Sequence, residues 1–152
     1  MATLETYISQ FRSLHVNVSK GRRAPHKAIL LLSIIQLYED GKVLTPQIFY
    51  DEVLEKTFKE TWSKYLKDIE GFTPFAGTPF WHMNFEPFWK LVPKNAYIDN
   101  KEIFSSHTPG SYNKAIKECV RYAEIDESLF TFLSDKEARD ELKKVLIDTY
   151  LK

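Results

Sequence analysis

The string Lys20-Gly21-Arg22-Arg23-Ala24-Pro25-His26-Lys27 sets four cations and a histidine at the start of an apolar helical segment. A helix start presents free amides that attract anions, and arginine adds a rigid donor fork matched to phosphate oxygens or guanine edges. The same residues also read as a solvated loop whose charges serve solubility, and spacing alone leaves both readings open. His26 is equally two-sided: its ring suits a backbone phosphate or a local backbone group inside the fold. A second group, Phe75-Ala76-Gly77-Thr78-Pro79-Phe80-Trp81-His82, combines rings, a stiff proline and a small glycine. Such residues build a shallow apolar cup rather than a deep active site, although core packing accounts for Phe80 and Trp89 equally well.

Little else in the chain has catalytic spacing. His15, His26, His82 and His107 form no HExxH pattern, and Cys119 is the one cysteine, so paired Cys/His zinc sites and disulfide frameworks are excluded. Cys119 itself reads as a small half-buried helix residue. No GxSxG, GxGxxG or phosphate-loop string occurs. Asp126/Glu127 and Asp135/Glu137 stand at expected helix starts, where carboxylates favour the helix dipole. No catalytic residue, metal ligand or cofactor is therefore expected.

The elements that position these groups follow from length and periodicity. The 152 residues, 43% hydrophobic and 14% aromatic, suit one domain spanning 1–152 with a sizeable core and exclude a disordered tail. The net charge is zero, but residues 1–27 carry five Lys and Arg against Glu5 alone, a local excess of +4. A neutral protein with a basic patch can dock a polyanion locally. No signal-like or membrane-length apolar run occurs, so a cytoplasmic protein without a membrane partner is expected.

Leu4, Tyr7, Ile8, Phe11 and Leu14 predict a helix over 4–14, capped by Thr3 with Thr6 at the third position. Pro25 opens a nearly all-apolar helix that ends before Gly41. Thr45-Pro46 predicts a helix through Ile48, Phe49, Val53 and Leu54, followed by a helical segment with Phe58, Trp62, Tyr65, Leu66 and Ile69. Alternation in Phe80–Met83 and Phe88–Val92 predicts a small antiparallel hairpin turning at 84–87, and Tyr97-Ile98 predicts an edge strand. Ser111, Asp126 and the Ser134/Glu137 capping box predict three closing helices. The fold class is α+β, predominantly helical, with a small antiparallel β-hairpin.

The string Gly21-Arg22-Arg23-Ala24-Pro25-His26-Lys27-Ala28-Ile29-Leu30-Leu31-Leu32 resembles the Arg-Ala-Pro-His-Lys-Pro-Leu-Leu-Leu-Leu signature of the DNA sulfur-binding domain. That domain belongs to bacterial type IV, McrA-like HNH restriction endonucleases that recognise phosphorothioate-modified DNA. Pro79-Phe80-Trp81-His82-Met83 with Phe88-Trp89-Lys90-Leu91 is similar to the family's Tyr-Pro-Phe-x-x-Leu…Gly-x-Trp block. Residues 126–130, 138–139 and 146–150 are similar to its closing helices, so the likeness spans essentially the whole chain. The resemblance implies sulfur contacts at Arg23, Thr78, Pro79 and His82, and DNA contacts at Lys20, Arg22, Arg23, His26 and Lys27. The partner it implies is phosphorothioate-modified double-stranded DNA, alongside a nuclease domain or a nuclease partner in trans. Thr78 stands where the family pattern has tyrosine, and Ala28 replaces the motif's second proline. No His-Asn-His arrangement occurs in the 152 residues, so this chain is expected to bind without cutting, standing alone or as the reader portion of a larger enzyme. Two other classes remain open: a metal-dependent nuclease whose carboxylates converge only in the fold, and a protein-interaction domain exposing the aromatic hairpin.

Overall fold

Helix α2 (His26–Glu39) is the centre of the molecule, because every side chain from Lys27 to Ile35 is buried. A helix apolar nearly all round must be covered on all sides, and α3, α4 and α7 cover this one. The computed structural model describes residues 2–16, 18–19, 22–66, 75–99 and 112–151, with Ser19 and Arg22 described through their backbones only. Lys20, Ile69, His107 and Ser111 lie outside the described residues.

Helix α1 (Leu4–Arg12) starts at the expected cap Thr3 and ends two residues short of the predicted Leu14, and the Thr3 and Thr6 side chains each meet the other's amide in a capping box. It buries Tyr7, Ile8 and Phe11. Two short strands follow, β1 (Val18–Ser19) and β2 (Arg22–Arg23), paired antiparallel. Pro25 takes the cap position of α2, and the helix ends where Gly41 adopts φ +70°. The amides of Gly41 and Lys42 donate to the carbonyls of Tyr38 and Leu37, the two reversed bonds of a glycine-terminated helix.

The next segment corrects one expectation. Thr45-Pro46 does not open a helix: the Thr45 hydroxyl accepts the Gln47 amide at 3.2 Å in a local turn, and Gln47–Ile48 form strand β3. Helix α3 (Glu52–Tyr65) starts only after Asp51, whose carboxylate accepts the Leu54 amide. The predicted hairpin is also not formed. Gly77–His82 is helix α4, followed by a 3₁₀ turn over Met83–Phe85, and only Trp89–Pro93 is a strand, β4. Phe80, Trp81 and Met83 are all fully enclosed, and a run buried on several faces carries no period to separate strand from helix. Tyr97 lies in a 3₁₀ turn rather than an edge strand, its amide bonded to the Lys94 carbonyl.

Helix α5 (Tyr112–Cys119) runs directly into β5 (Val120–Ile125), which lies between β3 and β4 in a three-stranded antiparallel sheet. Helices α6 (Glu127–Leu133) and α7 (Lys136–Tyr150) close the chain. Asp126 occupies the cap position of α6, but its carboxylate accepts the Tyr7 hydroxyl. The cap of α7 is Asp135, bound to the Ala138 amide, while the Ser134 hydroxyl donates to the Phe130 carbonyl at the end of α6. One contiguous apolar core joins Tyr7 on α1 to Tyr150 on α7. The fold is thus mostly helical α+β with a small antiparallel sheet in place of the expected hairpin.

Candidate functional site

The two sequence blocks singled out for chemistry meet on one open cavity of about 830 Å³. Ala24, His26 and Lys27 approach it from the entry of α2, and Thr78, Pro79 and His82 from α4. His15 and Val16 form a rim behind α1, while Phe85 and Tyr112 add aromatic wall.

Local sequence explains how α4 presents its face. Pro79 is the third residue of the helix, where its missing amide hydrogen leaves no intrahelical bond unmade. A Cβ at Gly77 would stand 3.2 Å from the Tyr50 hydroxyl and 2.6 Å from the Phe75 ring, so glycine permits the close seating of α4. Phe80 and Trp81 turn into the core and Phe80 packs edge-on against Trp89. His82 and Tyr112 are joined at 3.1 Å between Nε2 and the hydroxyl, with the rings edge-to-face. Burial raises the Tyr112 hydroxyl above its ordinary value, so it stays protonated across the neutral range.

Lys27 ties the cavity to a buried polar cluster. Lys27 Nζ donates to Glu86 Oε2 at 2.6 Å, and both side chains are nearly sealed from solvent. The same carboxylate accepts the His15 amide at 2.8 Å and faces His15 Nδ1 at 3.3 Å. Tyr150 fixes the segment just before it: its hydroxyl accepts the Leu14 amide and donates to the Phe11 carbonyl. Burial raises the Tyr150 hydroxyl, while the Leu14 amide and the Arg23 guanidinium oppose that shift.

The predicted residues therefore separate into groups. Thr78, Pro79, His82, His26 and Lys27 come together. His26 also packs its ring 5.0 Å from that of Trp62 on α3. Lys27 lines the cavity with its ammonium committed to Glu86, so it is not the surface cation that its place in a basic string suggests. Arg23 is exposed and lies over the Tyr150 ring, 5.7 Å from its centre, and does not line the cavity. Arg22 pairs through its backbone with Ser19, and Lys20 lies outside the described residues.

His15, Phe85, Glu86 and Tyr112 were missed as site residues. Glu86 is distant in sequence from both Lys27 and His15, and no local pattern links them. The aromatic residues invoked for an interaction surface are core: Phe80, Trp81, Phe88 and Trp89 are all buried. Exposed apolar side chains include Phe75, just before α4, and Leu44, Phe49 and Val53 around a groove of about 600 Å³ beside β3. Among the described residues, no group of three or more His, Cys, Asp or Glu is arranged to hold a metal ion. No helix among them is long and apolar enough to cross a membrane.

The chain matches no protein-family model and no curated protein.

Proposed function

We propose that this chain binds phosphorothioate-modified double-stranded DNA in the cytoplasm, as a non-cutting reader module for restriction of modified DNA. The observation that carries the reading is the meeting of Ala24, His26 and Lys27, from the Arg-Ala-Pro-His-Lys block, with Thr78, Pro79 and His82, from the Thr-Pro block, on one cavity. These are the blocks on which the resemblance to the DNA sulfur-binding domain rests. Physical chemistry supports a division of labour between them. Cations supply salt-dependent attraction to the DNA backbone without reading it, and the carbon-rich wall accepts a sulfur that is larger and more weakly hydrated than oxygen.

In this reading, Pro79, Thr78 and His82 contact the sulfur. Phe85 and Tyr112 supply the aromatic surface that Thr78 does not, and His26 lies beside the phosphate. Arg23, held on the Tyr150 face, grips a neighbouring phosphate rather than the sulfur itself, and the resemblance adds Lys20 and Arg22 as DNA contacts. Cutting belongs to a nuclease domain or partner.

The test is titration of matched duplexes with and without one sulfur, stereoisomers separated, at fixed salt. One stereoisomer should bind more tightly than ordinary DNA; equal affinity throughout overturns the reading. Pro79→Ala carries no charge change, so it should weaken binding of the sulfur-bearing duplex selectively, by about fivefold or roughly 1 kcal/mol. Equal weakening of both duplexes by a folded Pro79→Ala protein makes Pro79 a scaffold residue.

A further inference from the structure

We infer that Glu86 sets the preference of this cavity for sulfur over oxygen, by cancelling the charge of Lys27; the inference rests on the reading above. Lys27 is a cavity-lining cation, yet its side chain is only 8% exposed and its Nζ lies 2.6 Å from Glu86 Oε2. An ammonium without a carboxylate partner at this wall would reward whichever backbone atom is the better hydrogen-bond acceptor. That atom is an ordinary phosphate oxygen, because charge-assisted bonds to oxygen anions are short and strong while sulfur accepts weakly. Such a cavity would favour unmodified DNA.

Glu86 removes that reward. Its side chain is 1% exposed, and three donors orient it: Lys27 Nζ and the His15 amide on Oε2, and the His15 ring facing Oε1. Held this way, the carboxylate cannot turn aside when an anion enters. It leaves Lys27 at the cavity with its charge matched. Stability alone gives a poor account of the arrangement, since a buried ion pair is commonly no better than an apolar pair of the same volume. Selectivity between two equally charged ligands accounts for it directly.

Glu86→Gln tests the inference, because glutamine keeps an acceptor for Lys27 but leaves the cavity with one unmatched positive charge. Affinity for the ordinary duplex should rise by about tenfold, and affinity for the sulfur-bearing duplex by less, so their ratio falls. The double variant Lys27→Gln with Glu86→Gln restores neutrality and should return the ratio to that of the unmutated protein. A folded Glu86→Gln protein that keeps the original ratio overturns the inference, as does a folded double variant that loses it.

The unmutated protein supplies a measurement that does not depend on either variant folding. Across a salt series both affinities should fall in parallel, leaving their ratio constant, because both duplexes release the same counterions. A ratio that changes with salt means that the Lys27 charge reaches one ligand and not the other, and the inference fails. If the unmutated protein binds the two duplexes equally, the function proposed above fails instead, and the two failures are distinguished.

Discussion

Helix α2 is anchored by ion pairs at both ends, and the two ends work differently. At its start, Lys27 and Glu86 lie 2.6 Å apart with almost no solvent contact. At its finish, Glu39 meets Lys143 at 3.1 Å and Arg139 at 3.9 Å, all three side chains partly exposed. Water reaches the second cluster, so its pairs add less stability and fade with salt. Lys27 and Glu86 have given up their water, so each depends on the other. A similar sequence feature, a charge near a helix end, thus gives a sealed pair at one end and a partly solvated cluster at the other.

The largest effect should come from breaking the buried pair on one side. Lys27→Met leaves the Glu86 carboxylate enclosed without its ammonium, and denaturant unfolding should show a loss of about 3–5 kcal/mol. Adding Glu86→Leu to the same protein should recover much of that loss, since an apolar pair carries no desolvation cost. A Lys27→Met protein as stable as the parent would show that the pair is solvated, and the contrast between the helix ends would collapse. The finish of α2 has its own buried group in Tyr38, whose hydroxyl donates to the Thr45 carbonyl. Burial raises its pKa well above the ordinary value of about 10. The folded state therefore holds this proton after the unfolded state has lost it. The contribution is fully present below pH 10 and declines as pH rises beyond it, by at most about 1.4 kcal/mol for each pH unit. Stability measured along an alkaline series should lose part of this slope in Tyr38→Phe; an unaltered slope assigns it to other tyrosines. Gly41→Ala should cost about 1 kcal/mol by thermal melting, because φ +70° strains any Cβ although the space around it is open.

How much of this was legible in the sequence differs between the same two ends. Gly41 marked the finish of α2, and Thr3 with Thr6 marked the start of α1, because caps and glycine stops are local chemistry. Thr45-Pro46 misled because hydroxyl and proline suit a turn as readily as a helix start, and pairing of Ile48 with Ala123 decided between them. Phe80–Met83 misled for a different reason: a short run buried on several sides alternates by accident. The site was half legible. Residues 24–27 and 78–82 were visible as unusual local strings, and Ala24, His26 and Lys27 share a cavity with Thr78, Pro79 and His82, whereas Arg23 does not line it. Glu86, His15 and Tyr112 were not, since what makes them site residues is a set of contacts reaching across the chain. Lys27 shows the cost most clearly. Its neighbours in sequence describe a surface cation, and only the carboxylate behind it shows a buried one.

The smallest effect should be at the partly exposed cluster. Lys143→Ala removes the nearer partner of Glu39, but that ammonium is already partly in water and its long side chain loses rotamer freedom when paired. Arg139 stays beside Glu39 and keeps its own bond from Nη1 to the Leu133 carbonyl, so the end of α2 remains tied to α7. The expected loss is a few tenths of a kcal/mol, shrinking further in high salt. A double-mutant cycle with Glu39→Ala should give a coupling below about 1 kcal/mol, against the much larger coupling expected between Lys27 and Glu86. Because this cluster lies at the far end of α2, Lys143→Ala should also leave the sulfur-to-oxygen affinity ratio unchanged. A large, salt-insensitive coupling at Glu39 would mean that partial exposure does not weaken an ion pair in this fold. Burial would then no longer explain why the two ends of one helix behave differently.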